Sequence, residues 1–212
     1  MAFIRRTYAH LAGAVALFIG LEALLIVSGV WKSIVPLMVG SRFSWLIVLG
    51  AFIVVGNFAN RWAMNPRSQP MQYMGLAAYV LLEAVIFLPM IVLGLATQPS
   101  AIPAAGLVTL LVFAALTAFV FVTKQDFSFM RIGLMVAGVL ALGGIGVSLL
   151  FGFTLGVWFS VFMVGLAAGY ILYYTSNVLK HYGTDQHVAA ALALFSAVAL
   201  MFWYVLRLFM RR

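Results

Sequence analysis

Glu22 and Glu83 are two of only four acidic residues in the chain, and each sits inside a long apolar run. A carboxyl at membrane depth costs at least about 2.5 kcal/mol, so it persists only where protein, water, a proton or a cation covers it. Two kinds of chemistry fit. Each Glu can keep its proton and hydrogen bond to a neighbouring helix, or it can carry protons or a cation across the bilayer. No Lys or Arg shares the apolar run of Glu83, so an ion-pair partner must come from another segment. Arg61 and Lys124 stand at segment ends, too shallow to reach the midplane. Glu22, Tyr79, Thr109 or water are the partners expected for Glu83, which should be buried and neutral, because desolvation penalises a carboxylate. Counted along their apolar runs, both carboxyls fall ~18–21 Å from the segment starts. At a shared depth, facing carboxyls would hold one proton or one cation between them. Calcium takes 6–8 oxygens, so carbonyls freed by Pro89, or water, would have to complete its shell.

Other chemistry is thinly represented. No H-E-x-x-H, G-x-S-x-G or Walker loop occurs, and cysteine is absent, so zinc-protease, serine-hydrolase, thiol and ATP-driven chemistries lack their residues. The chain reads as a non-enzyme with no cofactor. His10, His181 and His187 are the imidazoles. His181 and His187 share a polar loop with Asp185 and could ligate a metal there, although a solvated loop with no metal is the reading adopted. Ser28 and Ser148 stand in apolar segments, where back-bonding to the preceding turn is the usual role. The net charge of +8 comes from Lys and Arg at segment ends, where they meet lipid headgroups. Nucleic acid is not an expected partner; the lipid bilayer is.

These residues must be positioned by helices. Hydrophobic residues make up 66% of the chain and charged residues 8%. A helix needs ~20 apolar residues to cross the hydrocarbon core. Seven segments qualify: Tyr8–Val30, Phe43–Arg61, Met71–Thr97, Ile102–Thr123, Met130–Phe151, Thr154–Asn177 and Val188–Met210. They form one all-α transmembrane domain over residues 1–212. None alternates in the manner of a barrel strand. The weakest break is Gly152-Phe153. Pro89 should kink the third segment. The glycines of Gly165-x-x-x-Gly169 and Gly143-Gly144-x-Gly146 suit close helix contact. With seven crossings, Arg5, Arg6, Arg61, Arg67, Lys124, Arg131 and Lys180 lie on one side, and Lys32, Arg42, Arg207, Arg211 and Arg212 on the other. That bias predicts a cytoplasmic N-terminus, and a plasma (inner) membrane is the location expected alongside it.

The second half carries a pattern. Thr123-Lys124-Gln125-Asp126-Phe127-Ser128 follows a helix end, Gly169-Tyr-Ile-Leu-Tyr-Tyr-Thr175 closes the sixth segment, and Ala191-Leu-Ala-Leu-Phe195 leads to Leu206-Arg-Leu-Phe209. Together these resemble the Bax inhibitor family, the transmembrane Bax-inhibitor-motif proteins, in a bacterial-type member. The resemblance implies six helices around a central C-terminal helix, and the six alanines between Ala189 and Ala199 make that helix thin enough to be enclosed. It also implies a pH-sensitive calcium leak, or, in some bacterial relatives, restraint of a membrane-bound ATP-dependent protease. The family's paired aspartates, which share protons and gate the pore, fall here on Tyr174 and Ala197, and an acidic position of the second segment falls on Gly50. Arg61 keeps a basic position. Neither a phenol nor a methyl titrates near neutrality, so the expected function is a passive cation or proton pathway without that gate. The alternative is a non-transporting protein that modulates a membrane protease.

Overall fold

The computed structural model describes residues 2–211, apart from the side chain of Arg42. The charges of Arg42 and Arg212, used in the orientation argument, lie outside the described residues. Those residues form eight helices and one 3₁₀ turn, with no strand among them: α1 Ala2–Val27, α2 Trp31–Val39, α3 Arg42–Ala63, α4 Gln69–Thr97, α5 Ala101–Thr123, the 3₁₀ turn Ser128–Met130, α6 Arg131–Phe151, α7 Gly156–Lys180 and α8 His187–Phe209. Seven of them are long and apolar enough to cross a membrane, as the composition requires.

Several ends differ from the apolar runs. α1 begins six residues early, because Arg5 and Arg6 continue the helix while their charges stay in water. It stops at Val27, where Gly29 turns the chain with φ 73°. The loop expected after it is partly helical. α2 is too short to span and contains Pro36. Its Lys32 ammonium lies 6.0 Å from the centre of the Trp31 ring. The break at Gly152 is real: Gly152 takes the left-handed conformation and its N–H caps Ser148 at 2.8 Å. α7 therefore starts at Gly156 rather than at Thr154.

The chain divides into two compact units, and helix α8 contributes its start to the first and its remainder to the second. The first unit holds α1, α2, α3, α4 to Leu93, and α8 to Phe195. Thr7, Leu11, Ala14, Phe18 and Glu22 are the buried residues of α1. Their spacing of three and four makes one stripe, the face a helix turns to its neighbours. α3 and α4 meet at Gly75, where a Cβ would press on the Ala59 carbonyl and reach within 2.6 Å of the Ala63 amide nitrogen. Glycine is required there because the neighbour is backbone.

The second unit holds α5, α6, α7 and the rest of α8. Leu134, Ala141, Met163, Leu166 and Tyr204 make its core, with Phe159, Tyr170 and Trp203 packed against them. Gly169 sits against Leu134, whereas Gly143, Gly146 and Gly165 face open space. Only one end of the G-x-x-x-G therefore serves close packing.

α8 is the most enclosed span. Of its apolar stretch 72% is buried, against at most 44% in the other six. Ala190 and Ala191 are fully buried, and Ala189 and Ala197 nearly so. The run of alanines gives a helix slim enough for that enclosure.

Candidate functional site

Glu22 and Glu83 are both 6% exposed and both belong to the first unit. Their surroundings differ. Tyr79, one turn earlier on α4, hydrogen bonds the Glu83 carboxyl. Both carboxyl oxygens of Glu22 are buried with no hydrogen-bond partner among the described residues. Of the partners that the sequence offers Glu83, the structure supplies Tyr79; Thr109 lies in the second unit with its own hydroxyl buried and unpaired.

The two carboxyls do not hydrogen bond to each other. α1 and α4 run in the same direction, since His10 meets Tyr73 near their starts and Phe18 meets Phe87 further along. Phe18 stands four residues before Glu22, and Phe87 four residues after Glu83. Glu22 thus follows the Phe18–Phe87 contact by one turn on α1, and Glu83 precedes it by one turn on α4. α1 starts at Ala2, before its apolar run, so Glu22 stands 20 residues from its helix start and Glu83 14 from that of α4. What lies between the two acids is aromatic. Phe18 and Phe87 meet edge to face at 5.1 Å, Phe195 of α8 lies 6.1 Å from Phe18, and Tyr79 lies 6.3 Å from Phe195. Phe87 and Phe195 are each 2% exposed. This aromatic layer escaped the sequence reading, because a Phe inside an apolar run looks like any other. The signal present was spacing: Phe18 and Phe87 each stand one turn from a buried acid.

Arg61 is exposed in the last turn of α3, where a cation complements the helix dipole. It lies level with Gly75, and Glu83 is two turns further on, about 12 Å along α4. Pro89 leaves α4 continuous and removes the N–H that would bond the Val85 carbonyl.

The second unit holds the remaining candidates. Tyr174 stacks on Tyr170 at 5.7 Å and 15°, and Tyr173 leans on it at 5.2 Å. The Tyr170 hydroxyl donates to the Leu134 carbonyl at 2.9 Å. A tyrosine stack thus occupies the position where the family pattern places an aspartate, and Ala197 is buried. Past α7, burial, then Tyr173, pushes the Tyr182 phenol up to about 12, so it too stays neutral.

The Thr123–Ser128 loop is a structural joint in which each residue does something local. The Thr123 hydroxyl donates back to the Phe119 carbonyl at 2.8 Å. Lys124 takes a left-handed conformation, φ 52°, and closes α5. Asp126 accepts the Ser128 N–H at 2.9 Å, which turns the chain into α6. Phe127 is buried, and its N–H donates to the Ser176 hydroxyl at 3.2 Å. The Ser128 N–H, then the Ser128 hydroxyl and His181, hold the Asp126 carboxyl below the ordinary carboxylate range.

The histidines part company. His181 lies 3.0 Å from Asp126 in the second unit. His187 is 4% exposed at the start of α8 in the first, against His10 at 4.9 Å between ring centres. The two do not form a joint site with Asp185, because α8 begins at His187 and carries it into the helix bundle. No cluster of three or more His, Cys, Asp or Glu side chains forms among the described residues. Ser28 and Ser148 donate to the carbonyls of Leu25 and Ile145, at 3.2 and 2.8 Å, as expected of hydroxyls in apolar helices.

A family model described as "Inhibitor of apoptosis-promoting Bax1" matches residues 1–212. The chain is similar to Bax inhibitor 1 of Schizosaccharomyces pombe, 31% identical over 92% of this chain and 71% of that protein. It is also similar to an uncharacterised protein of Pseudomonas aeruginosa, 34% identical over 55% of this chain and 53% of that one. No solved structure matches it.

Proposed function

The chain belongs to the Bax inhibitor family, and on that footing we propose that it is a passive proton pathway built on Glu22 and Glu83. One observation carries this reading: the first unit holds two buried carboxyls on either side of an aromatic layer made by Phe18, Phe87 and Phe195. A proton is a better cargo than calcium. One calcium ion needs several oxygens at 2.3–2.6 Å, whereas no cluster of three or more His, Cys, Asp or Glu side chains forms among the described residues and neither Glu22 oxygen has a partner there. Each acid can instead take and release a proton in turn. The aromatic layer acts as a dewetted constriction that keeps flux slow until a ring moves. The bias of Lys and Arg supports a cytoplasmic N-terminus, and similarity to a Pseudomonas aeruginosa protein supports a bacterial inner membrane.

The aromatic layer also favours a second reading, in which the bundle is sealed and acts by binding, as in restraint of a membrane-bound ATP-dependent protease. Purified protein in liposomes separates the two. On the first reading a proton gradient collapses faster than in empty liposomes, Glu83→Gln and Glu22→Gln abolish the effect in folded protein, and Phe87→Ala accelerates it. If the protein conducts nothing, or conducts equally well with both acids replaced, the pathway is refuted. Calcium flux that survives both replacements would place the route elsewhere in the bundle.

A further inference from the structure

The starts of α1, α4 and α8 bring together three titratable side chains that the pathway does not use: His10, Tyr73 and His187. The Nδ1 of His10 lies 2.7 Å from the Arg6 carbonyl. A carbonyl only accepts, so Nδ1 carries a hydrogen and the second ring nitrogen is free to hold or release a proton. That Nε2 lies 3.2 Å from the Tyr73 hydroxyl, which donates to neutral imidazole and accepts from imidazolium by turning about its C–O bond. His10 can therefore be charged or neutral without moving. His187 has less freedom. Its ring meets that of His10 edge to face at 4.9 Å, it is 4% exposed, and its Nδ1 is buried with no partner.

We propose that the His10–His187 contact is a proton-operated latch between α1 and α8: it holds while the pair carries at most one proton and opens when both rings are charged. The first proton is tolerated, because an imidazolium at His10 meets the neutral ring of His187 and the Tyr73 oxygen. The second places two cations about 5 Å apart, one of them on the buried ring of His187. The other charges within reach are Arg6 on α1, which adds to the repulsion, and Asp185 in the turn before α8, which opposes it. From α4 the group that faces the pair is the neutral Tyr73. At acid pH the open arrangement binds one more proton than the closed one. The contact is therefore complete at neutral pH and is lost as pH falls. This device is distinct from a carboxylate pair and stands whether or not the first unit conducts.

The test uses full-length protein in nanodiscs. Its three histidines give three pairs of ring signals by nitrogen NMR. His181, an exposed ring bonded to Asp126, lies outside the pair and serves as the internal control. His10 and His187 are expected to share a two-step titration, which becomes one step for His10 in His187→Phe and for His187 in His10→Phe. Amide exchange in the first half of α1, corrected for its intrinsic pH dependence, should rise several-fold from about pH 7.5 to about pH 5.5. His10→Phe keeps a ring in place without charge and should abolish that rise; His10→Gln does the same if the Phe variant folds poorly. Independent one-step titrations of His10 and His187, each unchanged by removal of the other, would overturn the latch. So would an acid-induced rise that persists in His10→Phe and disappears in His181→Gln.

Discussion

Replacing Glu22 by Leu should stabilise the protein, and replacing Glu83 by Leu should destabilise it. Both side chains are 6% exposed, so exposure does not separate them. Hydrogen bonding does. Neither oxygen of Glu22 has a partner among the described residues, and a buried polar group left unpaired costs about 1–3 kcal/mol. Leu is of similar size, removes that cost and extends the apolar stripe of α1 beyond Phe18. The expected gain is about 1–3 kcal/mol. Since a chain of this length moves by about 2–4 °C per kcal/mol, the melting temperature should rise by several degrees. At Glu83 the carboxyl is bonded to Tyr79. Leu there removes that bond and takes a partner from a hydroxyl in the aromatic layer, a loss of about 1–3 kcal/mol. Thermal unfolding in detergent micelles at neutral pH, followed by tryptophan fluorescence, reads both effects. Proton flux should vanish in both variants, so stability and transport part at Glu22 and fall together at Glu83. If Glu22→Leu lowers the melting temperature as much as Glu83→Leu does, Glu22 has a partner, and its reading as an uncommitted acid is wrong.

Gly75→Ala should cost about 1–3 kcal/mol or more, because the new methyl meets the α3 backbone, whereas Gly165→Ala should leave unfolding unchanged, since nothing lies near it. Ser176→Ala removes the acceptor of the buried Phe127 N–H; a loss of about 1–3 kcal/mol is expected, and limited trypsin digestion should cut after Lys124 sooner. The Asp126 carboxyl, held below its usual range, contributes to the joint above its unfolded value near 3.9 and loses that contribution only as pH falls through its lower folded value. The Ser128 amide resonance should accordingly stay fixed down to about pH 4 and move below it. In liposomes, any change of flux between about pH 8 and pH 6 should survive Tyr174→Phe, because a stacked phenol has no proton to lose there; abolition by that substitution would restore a gate at the family's position.

The bundle was legible because ~20 apolar residues in a row admit few structures in lipid. The Ser28 and Ser148 hydrogen bonds were legible too, because they are local. The errors arise where the decisive contact is remote. The apolar runs do not give the helix starts, because Arg5 and Arg6 belong to α1. α2 went unseen because nine residues with a proline read as a break. The requirement for Gly75 is invisible without the α3 backbone against it. His181 and His187, six positions apart, read as one loop, yet a helix start between them sends one to Asp126 and the other to His10.

The placement of the acids bears on how this member relates to its family. Tyr174 and Ala197, where the family pattern has its aspartates, both lie in the second unit. Tyr174 there belongs to a tyrosine stack anchored to the Leu134 carbonyl through Tyr170. The buried carboxyls of this chain, Glu22 and Glu83, lie in the first unit. The helix bundle and the Thr123–Ser128 joint can be kept while the titratable groups change place, because the joint depends on hydrogen bonds within the loop and to Ser176 and His181 that involve neither Glu22 nor Glu83. α8 contributes to both units, Ala197 to the second and Phe195 to the aromatic layer of the first. Transport by this chain, where it occurs, must be argued from α1, α4 and the first part of α8, and not from the positions its family name brings to mind.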